Sequence, residues 1–224
     1  MVLGRPSRVR TAAWFGFSAT ERTTGVDALL EAERDLVAQA LPTRRSEFAT
    51  GRWCAHAALA QVGVAGGVAL LQDHRGAPCW PPGVTGSITH TTGWTGAVVA
   101  RTGWRHGVRA VGIDAEVAAP LPAGALEVVA SDAEQADLQR LAALDDGTPW
   151  DTVLHTAKEA TYKAWYPLAG TVLPHDAVAV RLSADGRFAA VARSSAPGTA
   201  RRALRVRGRW ALGPAVVVSL AVAG

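Results

Sequence analysis

Residues 177–222 hold four short runs with strand character: 177–183, 187–193, 202–210 and 214–222. In the third, Leu204 and Val206 alternate with Arg205, Arg207 and Arg209, the period of a half-buried strand. The fourth lies in an apolar stretch broken only by Ser219 and reads as a buried strand. Asp185-Gly186, between the first two runs, is a strong two-residue hairpin signal. Turns this short join antiparallel neighbours, whereas parallel strands need a long crossover. A doubly wound parallel fold is therefore excluded, and the class is α+β.

The rest of the chain repeats an order of helices, then strands. Leu29, Leu30, Leu36, Val37 and Ala40 recur at helical spacing and predict a helix over 26–41, stopped by Pro42. A second helix follows to about Val62, with Thr43 as its expected cap. Residues 63–86 are rich in Gly and Pro and read as loop leading into a short strand. Strands are expected at 95–101 and 109–114, and helices at 131–144 and 151–166. Residues 1–24 read as extended or irregular, with an aromatic patch at Trp14, Phe15 and Phe17. With 224 residues, this pattern suggests two halves, 1–110 and 111–224, each with helices packed on a small antiparallel sheet.

Charge is unevenly placed. The net charge of +4 suggests nucleic acid, yet residues 201–224 carry five Arg (Arg201, Arg202, Arg205, Arg207, Arg209) and no acid, while residues 1–200 hold 18 basic against 19 acidic groups. The excess is one local stripe, readable as a nucleic-acid surface or a solvated strand face. Two cysteines, Cys54 and Cys79, make neither a zinc site nor a disulfide framework. They are expected as buried free thiols in a reducing cytoplasm. No signal-peptide pattern or membrane span is read.

Four groups of residues carry chemistry. In Val111–Glu116 (VGIDAE), Asp114 and Glu116 are two apart on a strand and face the same side. Adjacent carboxylates repel, and a hard divalent cation relieves them; two solvated acids at a strand end remain the alternative. In Ala157–Trp165 (AKEATYKAW), Glu159 and Lys163 share a helix face, and Lys158 and Tyr162 a neighbouring one. These are the only two lysines among 23 basic residues, which points to a need for an ammonium rather than a guanidinium. Between Gly112 and Glu159, ten acids face two bases, a field that attracts Mg²⁺. Gly76–Pro81 leads to Gly86-Ser87-Ile88-Thr89-His90, where backbone N–H groups, small hydroxyls and a histidine suit a phosphate; a structural His90 is the competing reading. Arg44, Arg45 and Arg52 cluster at a helix start, and Arg44 and Arg52 lie near one face, fit for a phosphate monoester.

Together GAPCWPPGVTGSITHTTGW, VGIDAE, AKEATYKAW and the preceding TRRSEFATGRWCAHAAL resemble the motifs of the Sfp/EntD-type phosphopantetheinyl transferases. The actinobacterial members, which activate fatty-acid, polyketide and siderophore carrier proteins, are the most similar. The resemblance covers roughly residues 40–170. It implies a pseudo-twofold α+β fold with coenzyme A in the cleft between halves. It implies Mg²⁺, or Mn²⁺ in its place, on Asp114, Glu116 and Glu159. Arg44, Arg52 and His90 would grip the 3′-phosphate, with Arg75, Ser87 and Thr89 nearby. Lys158 would meet the phosphate that leaves, and Lys163 is counted among the coenzyme-binding residues. The implied reaction is attack of a serine of an apo acyl or peptidyl carrier protein on coenzyme A. Glu116 is the first choice of base and Glu159 the second, directly or through a water. A cytoplasmic monomer without nucleic-acid or membrane partners is expected. A Mg²⁺-dependent phosphodiesterase and a nucleic-acid module are the alternatives. The chain departs from the family pattern at His56, Thr91, Trp94 and His155.

Overall fold

The computed structural model describes residues 14–103, 107–193 and 203–224; most of the expected irregular start, and Arg201 and Arg202 of the stripe, lie outside the described residues. Two antiparallel sheets carry the architecture. The first joins β1 (Phe15–Thr20), β2 (Val84–Thr91) and β3 (Trp94–Arg101) in the order β1-β3-β2. The second joins β4 (Ala110–Val117), β5 (Val178–Leu182), β6 (Arg187–Arg193), β7 (Ala203–Leu212) and β8 (Val216–Ala223) in the order β4-β8-β7-β6-β5. All pairings within the sheets are antiparallel. The hairpin expected at Asp185-Gly186 is present, with Gly186 at φ +81°, a left-handed conformation that suits glycine.

Each sheet is covered by one 20-residue helix. α2 (Pro42–Gln61) buries Cys54, Ala55, Ala58 and Leu59 against Val84, Ala97 and Val99 of the first sheet. α5 (Trp150–Ala169) buries Val153, Ala157, Ala160 and Ala164 against Val206, Val217 and Ala221 of the second. The other face of β3, through Val98 and Ala100, packs on Val111 and Ile113 of β4, with Leu220 and Val222 beside them. The two sheets are thus the inner layers and the two long helices the outer ones.

Several local expectations are corrected. The 26–41 helix is broken: only a 3-10 turn at Val26–Ala28 and the short α1 (Glu31–Asp35) form. Leu30 is extended at ψ 155°, and the Glu33 carboxylate turns back to accept from Leu30 N, so the helix begins afresh there. α2 is capped by Leu41 with Pro42 in its first turn, so Thr43 lies inside the helix rather than at its cap. A short α3 (Ala125–Val129) precedes α4 (Asp132–Ala142). Cys54 is buried as expected, but Cys79 is exposed. On β7, Leu204 and Val206 are buried while Arg205, Arg207 and Arg209 are exposed, which is a solvated sheet face. Among the described residues, no helix is long and apolar enough to cross a membrane.

Candidate active site

β4 lies at the edge of the second sheet and pairs with β8 alone. Its open side meets β2, whose hydroxyl side chains stand in for a strand partner. Ser87 Oγ donates to Ile113 O at 3.5 Å, and Thr89 Oγ1 accepts from Ala115 N at 3.2 Å. Thr89 Oγ1 also donates to Asp114 Oδ1 at 3.1 Å, and Thr91 Oγ1 to Glu116 Oε2 at 3.4 Å. The alternating hydroxyls of this motif thus aim the two carboxylates of β4. Thr89 is buried, and its hydroxyl is engaged by Asp114 and Ala115 N.

α5 approaches the same strand closely. A Cβ at Gly112 would run into the carbonyl oxygen of Ala160 and the amide of Ala164, so only glycine admits the helix. That approach brings Lys163 Nζ to 2.6 Å from Asp114 Oδ1. The other carboxylate oxygen, Asp114 Oδ2, is buried with no hydrogen-bond partner. An unpaired buried carboxylate oxygen is costly, and a hard cation is a fitting partner for it. Glu116 and Glu159 are half-buried. Among the described residues, no three His, Cys, Asp or Glu side chains converge into a ready-made metal cluster.

Lys158 is paired on the side of α4. Its Nζ is buried and donates to Val129 O at 2.7 Å and Glu134 Oε2 at 2.8 Å. Glu134 also accepts from Ser131 N at 2.9 Å and from Val180 N at 2.9 Å. Burial pushes the Glu134 carboxyl up, but the hydrogen bonds from Lys158, Ser131 and Val180 outweigh it and hold it below its ordinary value. Lys158 Nζ is thus engaged by Val129 and Glu134, and it is Lys163 whose ammonium reaches Asp114.

The arginines divide in a similar way. Arg44 is exposed, with Nη1 3.4 Å from His90 Nε2 and 3.5 Å from Glu47 Oε2. Arg52 is buried over the Phe48 ring, and its Nε donates to Leu70 O at 2.9 Å. Its Nη2 is buried without a partner. Burial lowers the Arg52 guanidinium to about 10, with Glu33 opposing the shift and Arg44 adding to it. Arg75 is exposed on the loop between α2 and β2.

A cavity of about 410 Å³ is lined by residues of the 75–88 segment and of α5, among them Arg75, Trp80, Ser87, Tyr162, Lys163 and Tyr166. A second, of about 220 Å³, shares Tyr162 and Val172 with it and extends to Lys158 and Glu159. Burial raises the Tyr162 phenol, and the Glu159 carboxylate adds to the shift. His90 borders a third cavity of about 560 Å³ beside the start of α2.

Two family models match the chain. The 4′-phosphopantetheinyl transferase N-terminal domain covers residues 32–100, and the 4′-phosphopantetheinyl transferase superfamily covers residues 110–213. The chain is 44% identical over 198 residues to 4′-phosphopantetheinyl transferase Svp of Streptomyces mobaraensis, spanning 87% of this chain and 78% of that protein. It is 40% identical over 201 residues to 4′-phosphopantetheinyl transferase PptT of Mycobacterium tuberculosis, spanning 86% and 85%. It is 42% identical over 137 residues to 4′-phosphopantetheinyl transferase Npt of Nocardia iowensis, spanning 61% and 59%. The chain belongs to the 4′-phosphopantetheinyl transferase superfamily.

The structure shows what this transferase-family chain does at its departures from the family pattern. His56 Nε2 lies 2.8 Å from Glu33 Oε1, which also accepts from Leu70 N at 2.8 Å, so the pair ties α2 to the loop after it. Burial raises the Glu33 carboxyl, but His56 and the backbone N–H groups outweigh it and leave it lowered. Trp94 lies across Gly96, where any Cβ would meet its ring. Thr91 bonds Glu116. His155 Nδ1 is buried without a partner, and nothing in the structure explains it. Sequence reasoning missed Glu134, Asp73 and Tyr166. Their long-range partners, Lys158 for Glu134 and each other for Asp73 and Tyr166, lie 24 or more residues away, and no local pattern marks such pairs.

Proposed function

We propose that this chain transfers 4′-phosphopantetheine from coenzyme A to a serine of an apo acyl or peptidyl carrier protein, releasing adenosine 3′,5′-bisphosphate. The observation that carries the reading is Asp114, held by Thr89 and Lys163 beside the cleft with its second oxygen buried and unpaired, in a chain of this family. The reading takes the two helix-covered sheets as pseudo-twofold halves of a cytoplasmic monomer, with coenzyme A between them.

Asp114, Glu116 and Glu159 offer the hard oxygen donors that Mg²⁺, or Mn²⁺, takes. Bound there, the cation would neutralise charge on the pyrophosphate. Arg44 and His90 form the exposed end of the anion site, and Arg52 offers the free Nη2 of a guanidinium held rigid by Leu70 and Phe48; together they would bind the 3′-phosphate. Arg75 and Lys163 both line the cavity of about 410 Å³; Arg75 would meet the nucleotide end of the ligand and Lys163 the diphosphate. The serine oxygen attacks the phosphorus bearing pantetheine, and the bond to the bisphosphate oxygen breaks. Glu116 takes the serine proton, directly or through a water, with Glu159 next in line. Lys163 stabilises the charge that collects on the departing phosphate. Otherwise the catalytic work is positioning.

The test is incubation with coenzyme A, Mg²⁺ and an apo carrier protein, read by mass spectrometry of the carrier. A gain of one phosphopantetheinyl group supports the reading. Bound coenzyme A with no adduct on a panel of carriers overturns it, and turnover without any carrier assigns a phosphodiesterase instead.

A further inference from the structure

The loop over residues 72–78 is organised around one carboxylate. Asp73 Oδ1 accepts from Arg75 N at 2.8 Å and from Ala77 N at 2.9 Å, and Asp73 N donates to Ala77 O at 2.9 Å. Gly76 completes the turn at φ +83°, which favours glycine. The remaining oxygen, Oδ2, accepts from the Tyr166 hydroxyl at 2.8 Å. Tyr166 stands on α5, 93 positions further along the chain. One side chain therefore shapes the loop that carries Arg75 and fastens it to the helix that carries Lys163.

This bond crosses the cleft beside the cavity of about 410 Å³ that Arg75, Lys163 and Tyr166 all line. The Tyr166 bond holds the Asp73 carboxyl below its ordinary value, and the same bond raises the Tyr166 phenol. Both shifts keep the acceptor charged and the donor protonated, the pairing that makes a charge-assisted hydrogen bond. Arg75 itself is exposed on a short turn. Without the tether its position relative to Lys163 rests on the turn alone.

We infer that Tyr166 is a positioning residue: its hydrogen bond to Asp73 fixes the Arg75 loop across the cleft and sets affinity for the nucleotide end of the ligand. It acts through Arg75 and touches none of the reacting atoms. The inference rests on the reading of the cleft as a coenzyme A site, and its test separates the two.

The test compares the whole chain with Tyr166→Phe, Arg75→Ala and the double variant. Equilibrium binding of adenosine 3′,5′-bisphosphate and of coenzyme A is read beside steady-state transfer. Tyr166→Phe is expected to weaken both ligands and raise KM for coenzyme A about tenfold, the size of a lost hydrogen bond to a charged group. Its kcat should stay within about twofold, because the bond is remote from the chemistry. In the Arg75→Ala background, Tyr166→Phe should add nothing. An additive effect, an unchanged affinity or a loss confined to kcat overturns the inference. Tyr166-dependent binding without carrier modification retains the positioning role and overturns only the transferase reading.

Discussion

Lys158 Nζ lies 2.8 Å from Glu134 Oε2, and both side chains are buried. One of the two lysines in the chain therefore joins α5 to α4, and through Val180 N to β5. Removing one partner of such a pair leaves the other charged and unpaired out of water, which costs about 3–5 kcal/mol. Lys158→Met is expected to lower stability by about that amount, measured by urea unfolding. Lys158→Arg should be nearly as harmful, because a planar guanidinium does not fit where an ammonium meets both Val129 O and Glu134. Lys163→Met should lose transfer and also lower the unfolding midpoint, because it leaves the buried Asp114 carboxylate with no cation beside it.

Glu134 and Glu33 also determine the response to acid. Both carboxyls are held below their ordinary 4.5 in the folded chain. A group depressed on folding contributes stability that is present above its unfolded value and lost as pH falls through the folded one. The wild-type chain should therefore lose stability below about pH 4.5. Glu134→Gln should be less stable at neutral pH and show a shallower decline on acidification. Chemical unfolding at a series of pH values checks both; an unchanged slope removes Glu134 from the account.

The fold was most legible where partners are local. β5 to β8 were expected as four runs with one Asp-Gly turn, and both long helices were expected close to their observed bounds. The failures share a cause. The break between Ala28 and Glu31 depends on Glu33, whose partners His56 and Leu70 come from other elements. In the site, Asp114, Glu116, Glu159 and Lys163 stood out by spacing, because strand and helix periods set which side chains share a face. The pairing of Lys158 with Glu134 was not legible, because its neighbour in sequence, Glu159, says nothing of Glu134. Nor was the bond between Thr89 and Asp114, because a hydroxyl that substitutes for a strand partner looks, in sequence, like one that binds a phosphate.

Gly112 tests how tightly α5 is seated on β4. A methyl group there meets backbone atoms of Ala160 and Ala164, which cannot rotate away as a flexible side chain can. Overpacking of this kind costs about 1–3 kcal/mol, occasionally more. Gly112→Ala is expected to destabilise the chain and, by displacing α5, to lengthen the contact between Lys163 and Asp114. Thermal unfolding should shift down, and transfer should fall even in the fraction that stays folded. A variant with normal stability and normal activity would mean that the helix has room to spare.

Asp114→Asn is the most discriminating single change at the site. The amide has nearly the shape of the carboxylate and can keep an oxygen toward Thr89 and Lys163, so folding should survive; near-ultraviolet circular dichroism checks this. What the change removes is the charge that answers Lys163, and the anionic oxygen now buried and unpaired at Oδ2. If that oxygen serves a hard divalent cation, transfer should fall by about 10²-fold or more. Raising Mg²⁺ should then restore part of the rate, because a weakened site is refilled by mass action. Glu159→Gln should behave likewise. A folded Asp114→Asn protein with near-normal transfer at limiting Mg²⁺ would remove Asp114 from the metal site and leave it as the counter-ion of Lys163.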